Sequence, residues 1–187
     1  LGCPEPEGRL RAVRRAGVKL QIAHQMRLSP FTLAVQHLIR EGAIGRIEDL
    51  RARGKEDRRA GGEDMMVLGT HLFDMMRIFA GDPNWVSAHV TQDGEELAAR
   101  HVHNATESIG PIAGNHIDAT FAFANNIPGH FASHACSTTD GLRYGLTITG
   151  DKGVIFLPMG IYPDGQAWLL RSPAWLPVNG AAWEKIQ

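Results

Sequence analysis

The sequence predicts an α+β fold: an open, mainly antiparallel β-sheet with helices packed on one face. Three observations carry that expectation. Helix signals crowd into the first 83 residues. After Trp85 the apolar pattern switches to short runs of period two or of continuous apolar character. Those runs are separated by hairpin-length turn signals, Asn125-Asn126, Asp140-Gly141 and Asp151-Lys152-Gly153. Helices followed by a strand meander point to a sheet covered on one side rather than to alternating βα units.

The elements follow in order. Pro4 to Ala16 reads as a helix, with Pro and Glu in its first turn, Leu10 and Val13 three apart, and Gly17 as its stop. VKLQIAH, residues 18–24, alternates and reads as a strand. Ser29 is a suitable N-cap with Pro30 behind it. Phe31, Val35, Leu38 and Ile39 then form an apolar stripe that Gly42 closes. Ile47 to Lys55 alternates as a strand. KEDRRAGGED, residues 55–64, is polar and glycine-bearing and reads as a mobile loop. LGTHLFDMMRIFAGDP, residues 68–83, is a short helix with Thr70 as N-cap. Leu72, Met75, Met76 and Phe79 face the core, and Gly81 and Pro83 end it. WVSAHVTQ, HIDATFAFAN, GHFASHACS, YGLTITG, GVIFLP and AWLLRS supply the strands.

Composition narrows the function. A hydrophobic share of 43% in 187 residues supports a packed core. Nineteen basic and twenty acidic residues leave a formal charge of −1, without the basic excess of a nucleic-acid protein. No apolar run reaches the ~18 residues of a membrane span, and no signal peptide opens the chain. Two distant cysteines, Cys3 and Cys136, make no disulfide framework, so a reducing cytoplasm is the expected location. Neither GxGxxG nor GxxxxGK[ST] occurs, so no dinucleotide is expected to bind this chain alone. The leading residues, without an initiator Met, are expected to lie inside a longer protein.

His71 and Asp74 are the first candidates for a site. Three residues apart, they share one helical face, and a histidine at a helix start feels the positive dipole end, which favours neutral imidazole. Such a ring can accept a proton or bind a hydroxyl. The alternative is that both satisfy local backbone donors. His24 and Arg27 lie between a strand and a helix, where loops often build sites, and Arg27 can pair with an anion. Asp64 stands just before the helix of His71 and is a further candidate for substrate contact or site support. HVH at 101–103 and HAC at 134–136 echo metal-ligand spacing, but no CxxC or HExxH accompanies them and no metal is expected.

Five phrases in order, AGVKLQIAHQMRLSP, LIREGAIGRIEDLRARG, GTHLFDMMRIFAGDP, FAFANNIPGHFAS and LTITGDKGVIFLP, resemble the C-terminal domain of the Gfo/Idh/MocA oxidoreductases. The resemblance covers most of residues 10–158. It implies a two-domain NAD(P)-dependent oxidoreductase whose missing N-terminal Rossmann half holds NAD or NADP. It assigns residues 1–17 to a helix that follows that half, and 18–187 to a substrate-binding and oligomerisation domain, C-terminally incomplete. It implies a sugar-like or polyol substrate and a homo-oligomer formed through the open sheet face. His71 falls on the family's catalytic histidine. One departure stands out: Val67 occupies the position, four before that histidine, where many members carry an aspartate. A non-catalytic carbohydrate-binding or assembly module is the alternative reading.

Overall fold

The computed structural model describes residues 6–135, 143–160, 167–173 and 180–186. Helix α1 spans Pro6–Ala16, and helix α2 spans Pro30–Arg40 behind a 3₁₀ turn at Gln25–Leu28. Strand β1 is Ile47–Arg53. A helical run then begins with α3, Gly62–Asp64, passes through a π-helical turn at Met65–Gly69, and continues as α4, Thr70–Ala80. The strands that follow are β2 (Trp85–Gln92), β3 (Glu95–Glu96), β4 (His103–Asn104), β5 (Pro111–Ile112), β6 (His116–Ala122), β7 (Pro128–His134), β8 (Gly145–Gly150), β9 (Gly153–Pro158), β10 (Ala167–Leu170) and β11 (Glu184–Ile186).

Nine strands form one sheet in the order β11-β10-β9-β8-β1-β7-β6-β2-β3, and β4 pairs with β5 apart from it. The mainly antiparallel sheet of the sequence reading is present, with one exception. β1 enters between β7 and β8 and runs parallel to β7, with Leu50 opposite Gly129 and Ala52 opposite Phe131. The first strand in sequence is thus the central one, and the segments on either side of it meet through its backbone.

Helices cover one face. Leu50, Ala52, Ile117, Ala119, Phe131, Leu146, Ile148, Ile155, Leu157 and Leu169 point from the strands toward Val35 of α2 and Leu72, Met75 and Met76 of α4. The last three are at most 1% exposed. Burial of each is worth about 1.5–3 kcal/mol, enough to fix α4 against the sheet. Period two sends the alternate strand residues to the other face. There Asp49, Arg51, Asp118, His130, His134 and Thr147 look away from the helices, and Arg51, Asp118, His130 and Thr147 line a groove of about 680 Å³.

Four local expectations change. Residues 18–24 make no ladder with any described strand, and Val18, Leu20 and Ile22 stay 53–61% exposed. An alternating segment needs a neighbouring strand to become one, and none lies beside it here. Thr70 does not cap a helix, because the backbone is already helical from Gly62. The polar loop 55–64 buries three of its acids: Glu56, Glu63 and Asp64 are 0–3% exposed, while Lys55 and Arg58 face solvent. HVH at 101–103 bends through a 3₁₀ turn into β4 rather than running as a strand. The end of α2 behaves as read: Gly42 has φ +78°, and the Ala43 N–H returns to the Leu38 carbonyl. Cys3, Cys136, the Asp140-Gly141 turn and residues 161–166 lie outside the described residues.

Candidate functional site

The first two turns of α4 and the 3₁₀ turn at 25–28 build a cluster of His24, Arg27, His71 and Asp74. Thr32, fully buried on α2, holds the short turn by donating its hydroxyl to the Met26 carbonyl at 2.7 Å. From the other side Asp74, 4% exposed, accepts two hydrogen bonds from Arg27, from Nε at 3.0 Å and from an Nη nitrogen. This bidentate fork is the pairing a guanidinium makes best, and it locks the turn onto α4. His24 then lies with Nδ1 3.4 Å from Asp74 Oδ1 and its ring 5.3 Å from that of His71, edge to face.

His71 and Asp74 lie three apart on one helical face, as their spacing predicts. The imidazole of His71 sits below its ordinary pKa of 6.5, first because burial penalises the cation, then because His24 is close, while Asp74 opposes both. The direction matches the sequence argument, but the cause differs. The π turn makes His71 interior to a continuous helical run, so no free helix end faces it. Among the described residues nothing hydrogen-bonds His71 Nδ1, which is buried. An imidazolium needs acceptors for both N–H groups, so this environment favours the neutral ring. Single π turns inside α-helices recur at functional sites, and this one ends two residues before His71.

Asp64 goes elsewhere. Its Oδ2 accepts the Ser133 hydroxyl at 2.6 Å and the Glu56 N–H at 3.1 Å. Gly54 makes room for it: a Cβ there would stand 2.2 Å from that oxygen. Glu56, 1% exposed with φ +57°, in turn pairs with Arg53 at 2.8 Å and Arg143 at 2.9 Å, both of which line the groove of the open face. Glu63 accepts the Thr106 hydroxyl and the Glu107 N–H, which ties loop 55–64 to the segment before β5. Tyr144 donates to the Leu68 carbonyl inside the π turn at 3.2 Å, and burial raises its pKa. Glu56, Ser133 and Tyr144 were not singled out from sequence. Only Ser133 left a signal there, since alternation in GHFASHA puts it on the same face as Phe131.

Several other histidines meet partners away from this cluster. His134 meets Asp118 at 2.9 Å, His89 meets Glu96 at 2.8 Å, and His101 Nδ1 accepts the Ala98 N–H. No group of three or more metal-ligating side chains gathers among the described residues.

The family model for the GFO/IDH/MocA C-terminal domain matches residues 32–156, which include β1, the π turn, His71 and most of the sheet. The chain belongs to the GFO/IDH/MocA family. Solved structures with the same fold include an NAD-binding oxidoreductase from Klebsiella pneumoniae, at 14% identity and TM-score 0.64, over 94% of this chain and 49% of that one. Levoglucosan dehydrogenase in complex with NADH and levoglucosan aligns at 18% identity and TM-score 0.68, over 96% and 50%. An oxidoreductase from Agrobacterium radiobacter, in complex with NAD+, L-tartaric acid and magnesium, aligns at 17% and 0.62, over 97% and 50%. The chain thus spans about half the length of each. No curated protein sequence matches it. No helix among the described residues is long and apolar enough to cross a membrane.

The sequence holds no GxGxxG, and β1 and β7 are the only parallel pair among the described strands. A pyrophosphate cradle requires a glycine turn from a parallel strand into a helix N-terminus. The sequence supplies no G-x-G-x-x-G turn of that kind.

Proposed function

We propose that this chain is the substrate-side half of an NAD(P)-dependent oxidoreductase acting on a sugar, polyol or related hydroxyl or carbonyl compound. The observation that carries the reading is the His71 cluster: an imidazole on α4 whose burial favours the neutral ring, edge to face with His24, which lies against the Asp74 that Arg27 grips. Oxidising an alcohol requires removal of the hydroxyl proton as the carbon gives up hydride, and a neutral imidazole suits that task. The nicotinamide accepts the hydride and is held by a nucleotide-binding half outside this chain. His71 takes the hydroxyl proton, His24 and Arg27 meet the substrate's polar groups, and Asp74 aims Arg27. Asp64 supports the site from within by fixing the start of the helical run. Named ligands of relatives agree with this substrate range: levoglucosan in one and L-tartaric acid in another.

Assembly through the open sheet face belongs to the same proposal. That face carries the groove bounded by Arg51, Arg53, His130 and Thr147, and a second copy would cover it. A non-catalytic binding or assembly module is favoured by one observation, the apolar Val67 one helical turn before His71. The two readings separate on the complete gene product, assayed for NAD(P)H formation over a panel of sugars, polyols and their acids. Turnover on any of them supports the enzyme. Binding without reduction of either cofactor overturns it and leaves the module.

A further inference from the structure

The balance of charge in the cluster bears on which hydroxyl compound fits it, an inference that rests on reading the cluster as the substrate site. Asp74 is its one acid, and that acid is spent. Both oxygens accept from Arg27, His24 Nδ1 lies beside Oδ1, and the side chain is 4% exposed. The groups left facing outward are Arg27, 47% exposed, His24, 27% exposed, and the partly exposed His71. Arg27 always carries its charge, and its second Nη nitrogen makes no hydrogen bond to Asp74. Val67, one helical turn before His71, presents a hydrocarbon side chain with no acceptor.

A neutral polyol presents hydroxyls that must both donate and accept, so a site for it needs exposed acceptors. Here the one carboxylate is taken, and the only outward group of fixed charge, Arg27, is purely a donor. A carboxylate reverses the need: it only accepts, and it is matched by a guanidinium and an imidazole. We propose that this cluster selects a hydroxy compound that also bears a carboxylate, a sugar acid or hydroxy acid, over the neutral polyol of the same carbon skeleton. The carboxylate lies toward Arg27 and His24, and the hydroxyl lies toward His71.

The test uses D-gluconate and D-glucitol, which share a carbon chain and differ in the carboxylate. Each is titrated into the isotopically labelled chain while the imidazole nitrogens of His24 and His71 are followed by NMR. Gluconate is expected to shift both rings and to bind about tenfold more tightly than glucitol or better. Added salt should narrow the gap, because an exposed cation supplies it. His24→Gln and Arg27→Gln should each reduce the preference, with Arg27→Lys restoring part of it. His24→Gln keeps the Arg27–Asp74 lock, so it remains informative if Arg27→Gln loosens the turn. The proposal is overturned if glucitol binds as well as gluconate, if neither probe moves the two rings, or if the preference survives both substitutions. Failure here is separable from failure of the oxidoreductase reading. His71-dependent oxidation of neutral polyols would sink only the acid preference, and gluconate binding without any turnover would sink only the enzyme.

Discussion

Asp64 and Asp74 belong to one helical run, both are buried, and they do opposite things. Asp64 accepts from neutral partners inside the fold, the Ser133 hydroxyl and the Glu56 N–H, and both Asp64 and Ser133 are fully buried. Asp74 accepts from a cation that is half outside and lies against an imidazole that is a quarter outside. The first carboxylate is part of the frame. The second converts the frame into a direction for exposed side chains. Sequence alone presents the two as equivalent acids near a histidine, and the partners decide between them.

Substitutions should separate the pair. Asp64→Ala leaves a buried hydroxyl and a buried N–H without an acceptor. It is expected to cost about 3 kcal/mol, the largest effect in the molecule's polar network. Chemical denaturation measures it. A loss under about 1 kcal/mol would show that water or rearrangement satisfies those donors. Asp74→Ala frees Arg27 and His24 to turn into solvent, so its stability cost should be smaller, about 1–2 kcal/mol after screening of the half-exposed pair. Its effect on ligand binding should be the larger of the two, which reverses the stability order. If Asp64→Ala weakens binding more than Asp74→Ala in protein that is still folded, the division of roles is wrong.

The smallest expected effect is a pH dependence. Burial and His24 hold the His71 imidazole below its ordinary 6.5, so the unfolded chain takes up that proton first. His71 therefore costs no stability above pH 6.5 and subtracts stability progressively as pH falls below it. His71→Gln should flatten the acid limb of the denaturation midpoint plotted against pH. An unchanged slope would mean that the folded ring titrates normally.

Much of this was legible beforehand, for identifiable reasons. The strands after Trp85 announced themselves because one face is apolar and the other is not, and His71 with Asp74 needed only the period of a helix. His24 and Arg27 fell out of their place between two elements. Three things were hidden. β1 pairs in parallel with β7, with Ala52 opposite Phe131, 79 residues further along the chain, and local pattern carries no information about such a partner. Loop 55–64 is polar by composition yet buries three acids, because Glu56, Glu63 and Asp64 each found donors distant in sequence. The π turn has no composition signature, and it replaced the capped helix start that Thr70 suggested. Residues 18–24 make a different point. Their alternation is that of a strand, but strands exist only in pairs, and the exposed Val18, Leu20 and Ile22 await one.

The central claim is that His71 handles the hydroxyl proton. The direct measurement is kcat/KM of the complete gene product on its best substrate, for the natural protein and for His71→Ala of matched thermal stability. A loss of about 10²–10⁴-fold is predicted, since that is what a positioned acid–base group supplies. Full turnover in His71→Ala would contradict the claim.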